Sequence, residues 1–298
     1  MIIRIIAIFI LTYLLVGCSG TNKLMPGVSN KITNVQDALD NIELASSVLS
    51  DAVPEDEYIL GVMIAKKIID SVPYSPDSMI SIYTNSILQT LLKNSKTPYI
   101  YNGYKLIVLK NKEFNAYALP GGIIVLHDGL LKKVYNEDQL ASIIAHEIGH
   151  IEGMHFSQDI SNDNYMKIAK YAKKHLQKKQ SSGNSLVNKV ANDFVEKTFT
   201  QLSNNILNGY SVEYEAEADQ IALRLLKDAG YENNSLKQVL SNLNKKHNVQ
   251  KYAGAKYPKN RIELIEKSSI FSNKIFSRKN IKIREKRFDK IKYISKKH

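Results

Sequence analysis

Two histidines four residues apart enclose a glutamate in the run Ala145-His146-Glu147-Ile148-Gly149-His150. On a helix, positions i and i+4 share a face, so the two imidazoles could grip one Zn(II) ion. Glu147, one residue after the first His, would project beside that metal and act as general base on its bound water. The chemistry implied is metal-assisted hydrolysis, and it requires that this segment be helical and that a third protein ligand exist.

The helix is legible. Asn136 stands at an N-cap position and Gln139 at the partner position of a capping box, while Glu137 and Asp138 place negative charge in the first turn, where the helix dipole favours it. Leu140, Ile143, Ile144, Ile148 and Ile151 recur at helical spacing and should bury one face.

A catalytic zinc takes three protein ligands and keeps an open position for water. One pattern puts a glycine three residues after the second His and a third His six after it. Gly153 fits, but position 156 is Phe and His155 arrives one residue early. On a helix that slip turns the side chain about 100° away, so His155 reads as a cap or as support for a ligand. The better source is Glu215-Ala216-Glu217-Ala218-Asp219, inside a second apolar-periodic helix. Glu215 and Asp219 share a face at i and i+4, so Glu215 could ligate the metal while Asp219 accepts a hydrogen bond from a ligand imidazole. Ala216 and Ala218 are small enough to let two helices approach, and Glu213 and Glu217 fall on other, solvated faces.

The surrounding elements follow from pattern and punctuation. Val35 to Leu49, Glu57 to Ile69 and Asp77 to Leu92 have amphipathic spacing, broken by Pro54, Pro73 and Pro76. Between Tyr99 and Leu126 the texture changes to three short β-rich runs, Tyr104–Leu109, Phe114–Leu119 and Ile123–Leu126, which predict a small sheet. From the motif helix onward the chain reads as helical to about Lys267, with a loop at residues 180–185. No repeat period is present.

The two ends have their own character. Ile5 to Gly17 is apolar but too short to span a membrane comfortably, and it fits the core of a signal peptide. Leu15-Val16-Gly17-Cys18 resembles a bacterial lipobox, which implies that Cys18, the single cysteine, is lipidated, with Ser19 to Ser29 as a polar tether. Ser19 after the cysteine favours the periplasmic face of the outer membrane over the inner membrane. One cysteine excludes a disulfide framework. Of the net charge of +12, residues 271–298 carry +9, so the body is nearly neutral. This segment reads as a solvated basic tail, with an anionic envelope surface as the alternative contact; nucleic acid is not expected as a partner.

Asn115-Ala116-Tyr117-Ala118-Leu119-Pro120-Gly121-Gly122, the HExxH run and Glu215-x-x-Ala218-Asp219 occur in one order over residues 95–267. Together they resemble the HtpX, BepA and LoiP type of gluzincin, peptidase family forty-eight. The resemblance implies a single Zn(II) per chain held by His146, His150 and Glu215, and a catalytic Glu147. It also implies that Asn115, Ala116, Tyr117 and Ala118 form an edge strand to which an extended protein or peptide substrate adds by backbone hydrogen bonds. Two departures stand out. Ser211-Val212 replaces the family's Ser-Arg, and Tyr257-Pro258 followed by Arg261 replaces its His-Pro and Arg; Tyr257 and Arg261 are the candidates to stabilise an oxyanion.

The resulting expectation is an α+β, mostly helical zincin-like domain with a small sheet whose edge strand lies over the zinc site. Residues 1–17 would be a signal peptide, 18–30 a lipidated tether, 31–269 the peptidase domain (helices 31–95, catalytic core 96–269) and 270–298 the tail. Function would be zinc-dependent endopeptidase action on misfolded or misassembled envelope proteins. The alternative is an assembly or chaperone-like lipoprotein in which zinc is mainly structural, though a structural site is normally closed by four protein ligands and only three are found.

Overall fold

The computed structural model of the chain describes residues 54–73, 78–158, 200, 202–204, 206–244, 258–271 and 278–297. The expected signal peptide, Cys18, the expected tether, the helix expected over Val35–Leu49, the loop expected at 180–185 and Tyr257 lie outside the described residues.

Two helices come first, α1 (Pro54–Ser71) and α2 (Ser78–Leu92), followed by β1 (Lys105–Leu109), β2 (Ala116–Leu119), a 3-10 turn (Pro120–Gly122) and β3 (Ile123–His127). Pro54, read in the sequence as a break, starts α1, where its missing N–H costs nothing. The strands form one sheet in the order β1-β3-β2: β1 is parallel to β3, and β2 is antiparallel to it with Tyr117 opposite Val125 and Ala118 opposite Ile124. β2 is thus an edge strand, as expected. The reversal into β3 uses Gly121 and Gly122 at φ 68° and 77°. A side chain at Gly121 would come within 2.3 Å of the Tyr58 backbone, so α1 sits directly on the turn.

Alternation along the strands builds two cores. Val108, Ala118, Ile124 and Leu126 face a large cluster with Leu88 and Leu91 of α2, whereas Leu109, Tyr117, Leu119 and Val125 face Leu60 and Ile64 of α1 together with Phe156 and Ile206. A sheet buried on both faces accounts for strands that read as nearly continuous apolar runs.

A short helix that the sequence reading missed, α3 (Asp128–Lys133), leads to α4 (Glu137–Glu152), which carries the motif. One turn follows as α5 (His155–Gln158), and then α6 (Val212–Asp228), α7 (Asn234–Asn244), α8 (Pro258–Lys267) and α9 (Arg278–Lys297). All these elements belong to one unit, Ala52–His298.

The sequence ended the domain at residue 269 and left the rest as a solvated tail. This is corrected by α9, which buries Arg284, Phe288 and Ile291 at helical spacing and packs against α2, α3 and α4. Its basic residues disguised an amphipathic helix because Arg284 is buried and the half-exposed Arg287 reaches in to the buried Glu137.

Candidate active site

Helix α4 was expected to bury one face, yet every residue from Glu137 to Ile151 is buried. It is enclosed by the sheet, α2, α6, α7 and α9. Seven of these buried residues are polar: Glu137, Asp138, Gln139, Ser142, His146, Glu147 and His150. Each must find a partner, because an unpaired polar group costs about 1–3 kcal/mol and an unpaired charge more.

Four of them are satisfied by the scaffold. Glu137 accepts from Tyr83 Oη at 2.8 Å and Tyr231 Oη at 3.2 Å, and from Arg287 Nε at 2.7 Å and its Nη2. Asp138 accepts from the Glu232 backbone N–H at 2.9 Å and from Arg284 Nε at 3.0 Å. The Asn136 cap is present, accepting from the Gln139 N–H at 2.9 Å, and Gln139 reaches back to the Tyr135 N–H rather than to the cap residue itself. Ser142 donates to the Gln139 carbonyl at 2.8 Å.

The remaining three, His146, Glu147 and His150, cluster with one another and with α6. Gly149 makes this possible: a Cβ there would lie 2.6 Å from the Ala218 carbonyl oxygen, so only glycine lets the two helix backbones approach so closely. Ala218 is the small residue at the crossing; Ala216 is only half-buried beside it. The crossing delivers Glu215, and the ligating atoms of His146, His150 and Glu215 all lie within 4.8 Å of one another. His146 Nε2 is 3.0 Å from His150 Nε2 and 3.3 Å from Glu215 Oε2, and His150 Nε2 is 3.8 Å from Glu215 Oε1.

Both imidazoles are oriented from behind. Asp219 Oδ1 lies 2.9 Å from His146 Nδ1, the position sequence spacing gave it, and holds that proton so that Nε2 offers a lone pair. His155, buried completely, places its Nδ1 2.8 Å from His150 Nδ1 and faces Glu217 Oε2 with its Nε2 at 3.4 Å. If His150 donates and His155 keeps its proton on Nε2, every contact is satisfied and the second Nε2 is also a bare lone pair. Glu217, read as purely solvated, is exposed but lies against this histidine. Tyr214 stacks on His155 and Tyr210 lies tilted against His150, with ring centroids 4.9 and 4.6 Å apart, and the Tyr210 N–H donates to Glu215 Oε1 at 3.2 Å. Nothing in sequence spacing pointed to either tyrosine.

Arg261 is where the structure departs most from expectation. Its guanidinium is buried and committed: Nε and Nη2 each donate to Asp219 at 2.7 Å, and Nη1 is 2.8 Å from Glu215 Oε2. Arg261 thus clamps two carboxylates, three of its nitrogens being engaged by negative charge, and its side chain also lines the cleft. Burial opposes ionisation of Glu215, but Arg261 and His146 overcome it and hold the carboxyl down at about 2. Glu147 experiences the same burial with less compensation, and its carboxyl is pushed up to about 7, although the Ala118 backbone works to keep it charged by hydrogen bonding.

That bond links the edge strand to the motif helix. Asn115 is buried beside β2, its Nδ2 donating to Tyr117 Oη at 2.6 Å. With Ala116, His146, Glu147 and Arg261 it lines a cleft otherwise walled by Phe114, Ile143 and Leu240. The Tyr117 side chain belongs to the opposite face of the sheet, in the second core. The donor set fits a zinc ion: two imidazole nitrogens 3.0 Å apart and one carboxylate oxygen converge, the borderline nitrogen and oxygen ligands that zinc takes.

Comparison with known proteins agrees with this geometry. The chain is 24% identical to the "Beta-barrel assembly-enhancing protease" of Escherichia coli (strain K12) over 222 residues, 70% of this chain and 42% of that protein. It is 30% identical to the "Mitochondrial metalloendopeptidase OMA1" of Arabidopsis thaliana over 129 residues, 43% of this chain and 23% of that protein. The Schizosaccharomyces pombe protein of the same name is 29% identical over 142 residues, 46% of this chain and 36% of its own length. The chain therefore spans less than half the length of these relatives. The profile described as Peptidase family M48 matches residues 82–272, which take in the sheet, the motif helix and all three candidate ligands, and the chain belongs to that family.

Proposed function

We propose that the protein is a zinc-dependent endopeptidase acting on misfolded or misassembled proteins of a bacterial envelope. The observation that carries this reading is the convergence of His146, His150 and Glu215 beside a buried Glu147, with His146 and Glu147 lining a cleft next to an edge strand. His146, His150 and Glu215 would hold the metal. Bound zinc supplies a Lewis acid that lowers the pKa of water from about 15.7 toward roughly 7.

The chain's own residues do the rest. Glu147 takes a proton from the attacking water at its carboxylate and passes it to the amide nitrogen as the carbon–nitrogen bond breaks. Asp219 fixes the tautomer of His146, His155 that of His150, and Arg261 keeps Glu215 and Asp219 ionised and in register. The edge strand β2 gives an extended segment backbone partners, which favours loops and unfolded chain over particular side chains.

The location rests on Cys18 and the apolar run before it, which support a lipid anchor at the periplasmic face of the outer membrane; among the described residues no helix is long and apolar enough to cross a membrane. The names of the bacterial relatives support an envelope role.

The test is cleavage of an unfolded protein by the full chain, with and without zinc chelation, beside Glu147→Gln. Zinc-dependent cleavage that the substitution abolishes while zinc stays bound is the expected result. Cleavage surviving in Glu147→Gln would overturn the catalytic assignment, and capture of envelope proteins on the inactive variant would name substrates.

A further inference from the structure

Away from the cleft, α2 and α9 enclose a second groove of about 400 Å³, lined by Met79, Ile82 and Ile87 on one side and Arg287, Lys290 and Ile291 on the other. Met79 is 47% exposed and Ile82 67%. Ile283 precedes Arg287 by one turn on the same side of α9 and is 52% exposed. Three large apolar side chains held in water around one groove mark a surface with a partner.

The charge around the groove says what kind. Arg287 and Lys290 line the groove, and Lys286, about 100° around the helix from Arg287, stands at its rim; all three are exposed. The acidic residues of this helix, Glu285 and Asp289, fall roughly 160° around it from Arg287, on the side away from the groove. Among the described residues lining the groove the one carboxylate, Glu137, is already saturated by Tyr83, Tyr231 and Arg287. Both walls are helices whose backbones are internally bonded, so the groove offers an incoming chain no strand edge; what remains is apolar contact and positive charge.

We propose that the groove between α2 and α9 binds anionic membrane lipid, with acyl carbon against Met79, Ile82 and Ile283 and the negative headgroup on Lys290 and Lys286. Basic residues beside an apolar face are the general recipe for docking at an anionic bilayer surface. The effect on the molecule is orientation: α9 also holds the N-terminus of the motif helix through Arg284 and Arg287, so the docked face and the cleft move as one body.

The chain contains no tryptophan. Full-length Ile82→Trp, made with Cys18→Ser so that no acyl anchor contributes, therefore carries a single reporter at the groove, titrated with non-ionic micelles containing phosphatidylglycerol or phosphatidylcholine whose acyl chains are brominated to quench on contact. Quenching should be markedly stronger with phosphatidylglycerol. Adding Lys286→Gln and Lys290→Gln should raise the half-quenching lipid concentration about fivefold per lysine, on the order of 25-fold together, and high salt should act in the same direction. Should the double variant fail to fold, Lys290→Gln alone reads the fivefold change. Equal quenching by the two lipids, or insensitivity to the lysines, overturns the proposal. So does a blue shift that grows with protein concentration in the absence of lipid, which would mean that a second copy fills the groove. Peptide cleavage by Ile82→Trp is read separately, so failure here leaves the peptidase assignment standing.

Discussion

His155 Nδ1 lies 2.8 Å from His150 Nδ1, which makes a second imidazole, rather than a carboxylate, the group that orients one of the candidate zinc ligands. The contact arises because α4 ends at Glu152 and the one-turn helix starting at His155 folds back under it, a change of direction marked by Met154 at φ 53°. The residue that fell one place short of a ligand position thus lies directly behind a ligand.

His155→Phe should keep the ring volume and remove the nitrogen. Zinc affinity, measured by competition with a chelator, should fall about 10–100-fold, the usual cost of losing a partner behind a metal-binding histidine. An unchanged affinity would reduce the contact to packing.

Gly149→Ala tests the helix crossing. The added Cβ would meet Ala218 backbone at 2.6–2.8 Å, and backbone cannot swing aside. Overpacking of this kind costs about 1–3 kcal/mol. A lowered melting temperature should accompany weakened zinc binding, since moving α6 outward carries Glu215 away from the two histidines.

The pair Arg284–Asp138 joins α9 to the start of α4 with both side chains buried or nearly so. Arg284→Met should destabilise by about 3–5 kcal/mol, because it removes one partner of a buried ion pair and leaves the Asp138 carboxyl without it. Asp138→Asn in the same chain should restore part of that loss in denaturant unfolding. Additive losses would show that the two residues act independently.

His127 gives a pH prediction away from the metal. It is buried at the end of β3 against the edge of Tyr117, with the exposed Glu113 no closer than 3.9 Å, and burial pushes its imidazole down to about 4. Because the unfolded chain takes up a proton first, stability should be lost as pH falls from about 6.5 toward 4. His127→Gln should flatten that part of the pH–stability curve; an unaltered slope would place the acid sensitivity elsewhere.

Much of this was legible beforehand where local rules are strong. The cap at Asn136, the i,i+4 pairs in both helices and the three β-rich runs appear in the structure close to where pattern put them. What escaped was set by partners distant in sequence. Glu137 and Asp138 read as favourable to a helix dipole, and nothing local says that they anchor arginines some 150 residues later. Arg261 looked free to meet an oxyanion because its carboxylate partners lie on another helix, and α9 looked solvated because a basic sequence conceals which arginines turn inward.

By itself, the sequence determined the chemistry on offer: two histidines and a glutamate on one helix, a carboxylate pair on another, and a strand ending in Pro-Gly-Gly. These follow from helical and strand periodicity, which act over a few residues. Only the tertiary structure decided that β3 would insert between β1 and β2, that Gly149 would press on Ala218 and so bring Glu215 to the histidines, and that His155 and Arg261 would stand behind the ligands. Such choices depend on burial: once α4 is enclosed on all sides, every polar group on it must be answered by some residue brought from elsewhere in the chain.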